Sequence, residues 1–125
     1  MNNPIKVVRK VWIEDNRIYI DFHLSQKLFR GGRYNTHGLS LGSPLIYKET
    51  PMEQIILRGL SDHHVNFASV DFRKDHISLF CYGKDYQLGD EEEIERITDI
   101  VCFLLSVFQC RDISFSVEEE EEVID

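Results

Sequence analysis

No stretch of this 125-residue chain approaches the roughly 18–20 consecutive apolar residues that a membrane-spanning helix needs. Nor does MNNPIKVVRKV, the N-terminus, carry the apolar core of a secretory signal. Cysteine is scarce: Cys81, Cys102 and Cys110 are odd in number and spaced unlike any zinc ribbon or C-x-x-C pair. Reduced, buried thiols in a cytoplasmic protein are the expectation. Also missing are the Walker A pattern, G-x-G-x-x-G, H-E-x-x-H and H-x-x-x-H, which removes the familiar phosphate-loop, dinucleotide and helical zinc motifs. Gly38-Leu39-Ser40-Leu41-Gly42 matches G-x-S-x-G, but a polar stretch precedes it and Pro44 stands where the helix of a nucleophile elbow would begin. A chain this short also lacks room for that hydrolase fold. His23, His37, His63, His64 and His76 show no ligand spacing, so no metal is expected. Asp62-His63 and Asp75-His76 are sequence neighbours whose side chains diverge, so no catalytic dyad is expected and the chain is read as a non-enzyme. No cofactor is implied.

What is present is a charge gradient. The net charge is −8, yet residues 1–48 carry a net +5, residues 49–84 a net −1 and residues 85–125 a net −12. Fourteen acids in the last third argue against a broad duplex-DNA face. A basic front half remains compatible with a local anion site on an acidic body.

A single α+β domain is expected over residues 1–117, followed by an acidic tail at 118–125. The sheet should be mostly antiparallel, built from two hairpins and a C-terminal strand, and packed against one long and one short helix. Strands at 5–13 and 18–24 form the first hairpin around Asp15-Asn16. Its register sets Ile13 opposite Ile18, Val11 opposite Ile20 and Val7 opposite Leu24, with Trp12–Tyr19 and Lys10–Asp21 on the other face. Leu39, Leu41 and Leu45–Tyr47 suggest a short strand. Thr50-Pro51-Met52-Glu53 reads as a capping box with proline at its first helical position, so a short helix is expected over 51–58, ended by Gly59. Residues 64–72 and 76–82 form a second hairpin around Lys74-Asp75 with apolar residues on both faces, expected to be covered on both sides. The long helix begins at Asp90, whose first turn is acidic, and carries Ile94, Ile97, Val101, Leu104, Leu105 and Phe108 on one stripe. Ile100, Phe103 and Val107 make its second half apolar all round, which predicts a homo-oligomer through helix 90–109. Ile113–Val117 is the last strand.

Residues 29–44, FRGGRYNTHGLSLGSP, hold four of the seven glycines and no acid. Glycine lets backbone amides approach a ligand, and arginine offers a planar fork of donors for phosphate or carboxylate. The expected ligand-binding set is Arg30, Gly31, Gly32, Arg33, Tyr34, Asn35, Thr36 and His37, with Phe80 and Tyr82 to stack a base and Arg111 as a further cation. The function expected from this set is capture of a small, nucleotide-like anion by a non-enzymatic, oligomeric protein. Small phage and bacterial proteins that sequester nucleotide signals in immune conflict share this profile of size and composition, without a shared motif. The alternative is an acidic inhibitor or immunity-type protein that docks on a basic protein partner through 90–95 and 118–122, imitating nucleic acid.

Overall fold

The computed structural model describes residues 4–14, 17–35, 51–82, 91–117 and 123–124. The fold is α+β. Strands β1 (Ile5–Glu14) and β2 (Arg17–Leu24) form the first hairpin. Strand β3 (Gly32–Asn35) and helix α1 (Pro51–Asp62) follow, then β4 (Ser69–Arg73) and β5 (His76–Tyr82). Helix α2 (Glu91–Gln109), strand β6 (Ile113–Val117) and a two-residue strand β7 (Val123–Ile124) complete the chain. The sheet runs β3-β4-β5-β2-β1-β6, with β7 added beside β1. All neighbours are antiparallel except β6 and β7, which lie parallel to β1.

Every hairpin pair expected from the alternation at 5–24 is present, from Val7↔Leu24 to Ile13↔Ile18. The second hairpin has Phe72↔Ile77 and Val70↔Leu79, as its pattern requires. Its first strand begins at Ser69, because Phe67 is buried outside the ladder and Ala68 is held by one bond from its N–H to the Phe80 carbonyl. Strand residues with even numbers in β2 (Ile18, Ile20, Phe22, Leu24) and odd numbers in β5 (Ile77, Leu79, Cys81) are buried against the helices. Met52, Ile56 and Leu60 of α1 and Ile97, Val101 and Leu105 of α2 close that side. No described element covers the opposite side of the sheet, where Asp71, Ser78 and Phe80 of the second hairpin are half-buried.

Helix α1 passes through Gly59 instead of stopping there. A Cβ on Gly59 would lie 2.5 Å from both Leu104 methyls, so glycine marks the close approach of the two helices. The stop comes at His64, in the left-handed region at φ 58°. There the Val65 N–H donates to Leu60 (2.9 Å) and the His64 N–H to Ser61 (3.1 Å), the paired bonds of a Schellman motif. Arg96 of α2 then donates to the carbonyls of His63 (2.9 Å) and His64 (3.4 Å), and Glu93 holds the same guanidinium. Cys110, at φ 50°, ends α2 in a similar way, with the Arg111 N–H on the Ser106 carbonyl.

The stripe of α2 departs from expectation at Phe108, which is exposed with Phe103 and Val107 of the other face. Phe103 (56% exposed), Val107 (58%) and Phe108 (36%) face outward in the single chain. Cys110 is exposed and Cys102 half-buried; Cys81 alone is in the core, and all three are free thiols. Residues 123–124 return to pair with Ile13 and Glu14, so the C-terminal segment is not wholly separate from the domain. The Asp15-Asn16 turn, the Leu39–Tyr47 strand, Thr50, Asp90 and the five glutamates at 118–122 lie outside the described residues.

Candidate functional site on the open sheet face

Alternation along each strand decides which side chains reach the uncovered face. Across β3-β4-β5-β2-β1 the register aligns Arg33, Asp71, Ser78, Asp21 and Lys10 in one row. Arg33 pairs with Asp71 at 3.5 Å, and the Ser78 hydroxyl donates to Asp21 Oδ1 at 2.9 Å. One row further, Phe80, Tyr19 and Trp12 lie side by side on β5, β2 and β1. Trp12 and Tyr19 stack with centroids 5.2 Å apart and planes 4° from parallel. Phe80 meets Tyr19 edge-on at 4.8 Å. The Arg17 guanidinium lies 5.2 Å from the Phe80 centroid, a cation over a ring. All three rings are partly exposed.

Toward the other end of the same face, His23 and His76 are cross-strand partners with perpendicular rings 4.3 Å apart. His23 Nδ1 and His76 Nε2 are 3.1 Å apart. Asp75 reaches both: its Oδ1 is 3.1 Å from His76 Nδ1 and its Oδ2 3.7 Å from His23 Nε2. Asp21 Oδ2 stands 3.5 Å from His76 Nε2. The hydrogen bond with His76 holds the Asp75 carboxyl below its usual range, partly opposed by desolvation and helped by the nearby charge of His23.

The residues expected to bind a ligand are divided by this geometry. Arg33 and Phe80 share the open face. Tyr34 points the other way, into the core against Phe72, because it occupies the alternate position of the edge strand. The N–H groups of Arg30 (2.8 Å) and Gly31 (3.2 Å) donate to Glu53 Oε1, so these two amides hold the chain's own carboxylate. The capping box expected between Glu53 and Thr50 lies outside the described residues. Gly31 (φ 110°) and Gly32 (φ 151°) supply the left-handed turn that aims the two amides at Glu53. Arg111 lies beyond α2, with Nη1 donating to Gln26 Oε1 at 2.9 Å. Asn35 and Tyr82 are paired through their backbones with Ser69 and Arg17; their side chains, and all of Thr36 and His37, lie outside the described residues.

Arg17, Asp21, His23 and His76 do not stand out as a group in the sequence. Their common face is visible in the period-two pattern of residues 17–23, but the β2–β5 pairing that unites them is between distant segments. The chain matches no protein-family profile, and no curated protein or solved structure is significantly similar to it. Among the described residues, no helix is long and apolar enough to cross a membrane.

Proposed function

We propose that this is a non-enzymatic binding protein that captures a small, nucleotide-like anion on the open sheet face. The observation that supports this reading is the partly exposed row Trp12–Tyr19–Phe80 with Arg17 against its end ring. Base–aromatic stacking contributes about 1–3 kcal/mol per base, and a neighbouring guanidinium supplies the phosphate contact. Arg33, paired with Asp71 on the same face, is a second cation. The binding position therefore moves from the amides of Arg30 and Gly31, which Glu53 occupies, to the strands.

The only tryptophan belongs to the row, so its emission reports occupancy. Titration with adenosine and guanosine mono- and diphosphates and with short dinucleotides should change Trp12 fluorescence saturably. Phe80→Ala and Arg17→Ala should each weaken binding about tenfold, in line with the loss of one stacking or cation contact. A native protein that shows neither a fluorescence change nor heat with any of these would overturn the proposal.

We further propose that a second copy of the chain covers Phe103 and Val107, giving a homo-oligomer. Two large apolar residues one helical turn apart and more than half exposed support this. Elution and native mass at the monomer value would remove it. The acidic-inhibitor reading has less support on the described residues, since Glu93 is engaged by Arg96 and Glu95 by Arg9.

A further inference from the structure

We propose that His23, His76 and Asp75 form a binding site for a divalent transition-metal ion of the zinc class. Sequence spacing hides this set, because His23 and His76 meet only through the pairing of β2 with β5. Each residue offers one ligand atom, and the three atoms lie within 4.8 Å of one another. A tetrahedral ion with Zn–N distances of about 2.0–2.1 Å needs its ligand atoms roughly 3.3 Å apart. His76 Nδ1 lies 3.1 Å from Asp75 Oδ1 and His23 Nε2 3.7 Å from Asp75 Oδ2, so the two imidazoles flank one carboxylate and a single oxygen of it must turn to serve both. His23 is 52% exposed at its side chain and Asp75 33%, so rotation about their side-chain bonds supplies the remaining adjustment without moving the backbone.

The chemistry of the donors selects the ion. Two imidazoles and one carboxylate suit zinc, cobalt, nickel or copper, whereas magnesium and calcium prefer all-oxygen shells. Without an ion, facing imidazole nitrogens at 3.1 Å must divide their roles, one donating and one accepting. Asp21 sits 3.5 Å from His76 Nε2 and is itself held by the Ser78 hydroxyl. It is the carboxylate that orients His76 while the other ring nitrogen binds the metal. Three protein ligands leave a fourth position, which can take water or an anion.

The test uses the full chain and the metals alone, without nucleotide, so its outcome is separate from that of the ring-row proposal. Zinc titrated against a chromophoric chelator should bind at one equivalent per chain. Cobalt should give the visible bands of a tetrahedral nitrogen–oxygen site, without the near-ultraviolet charge-transfer band of a thiolate. His23→Ala and His76→Ala should each weaken zinc at least tenfold, and Asp75→Asn should do the same. Far-UV circular dichroism checks that these partly exposed variants fold, and His63→Ala serves as the control that leaves affinity unchanged. The proposal is overturned if zinc fails to compete with the chelator. It is equally overturned if binding survives His23→Ala and His76→Ala, or if cobalt shows thiolate ligation from Cys110.

Discussion

Glu53 accepts the backbone N–H of Arg30 at 2.8 Å from within the core, where its side chain has no solvent exposure. One carboxylate thereby ties the start of α1 to the segment that crosses from β2 to β3. The amides that looked poised for an external anion already have an internal one. Removing the acceptor leaves two part-buried donors unsatisfied, at up to about 1–3 kcal/mol each. Glu53→Ala should therefore lower stability by about 2–4 kcal/mol in urea unfolding. Glu53→Gln, whose amide oxygen still accepts, should lose distinctly less.

Gly59 and Leu104 give a prediction whose sign is decided by two opposed magnitudes. Alanine gains about 1 kcal/mol over glycine in a helix interior. Against that, its Cβ would meet both Leu104 methyls at 2.5 Å, and overpacking of a buried contact costs about 1–3 kcal/mol. Gly59→Ala should be net destabilising. Combined with Leu104→Ala, the new methyl enters the vacated space, and a double-mutant cycle should return a loss smaller than the sum of the two single changes.

His64 holds a left-handed conformation that costs a non-glycine residue about 1–2 kcal/mol. Glycine relieves that cost and gives back part of it as chain entropy. His64→Gly should raise stability by about 0.5–1 kcal/mol, or roughly 2–4 °C in Tm. The Val65–Leu60 backbone bond of the cap is unaffected by the change.

Asp75 links stability to acid. Its native carboxyl titrates below its ordinary value, chiefly through the hydrogen bond with His76. The contribution is thus complete above the ordinary carboxylate range and disappears as pH falls through the lowered native value. Asp75→Asn should flatten the acid limb of a Tm-versus-pH curve below about pH 4.

The three thiols should separate by accessibility. Burial raises Cys81 to about 12 and Cys102 to about 11, the latter also through Asp99. With a disulfide reagent at pH 8, Cys110 should react at once, Cys102 slowly and Cys81 only on unfolding. Fast reaction of Cys81 in the folded state would contradict its placement in the core.

Local pattern carried far in this chain. The alternation of 5–24 specified the register of β1 on β2 because a one-residue slip would expose Ile18 and Ile20. The acidic turn before Ile94 marked the start of α2, and Lys74-Asp75 marked the second turn. What stayed hidden depends on distant partners. Gly59 reads as a helix stop until Leu104 is placed against it. His64 and Cys110 end helices without the glycine or asparagine that would advertise it. Arg9, buried at 1% exposure, gave no sign in the sequence that Thr98 (2.7 Å), Glu95 (2.9 Å) and the Phe115 ring would surround it. For the site, alternation could separate Tyr19 and Trp12 from the core, but only the union of β2 with β5 turns two remote histidines into neighbours.

The pairing of β1 with β6 has a further consequence for how the molecule is born. Ile5 is synthesised well before its parallel neighbour Ile113. Until then one margin of the earliest strand offers unsatisfied backbone groups to any passing chain. Folding of the whole sheet accordingly waits on long-range closure, the slow kind of event in small proteins. A nascent polypeptide stalled before Ile113 leaves that flank of β1 open to unwanted pairing.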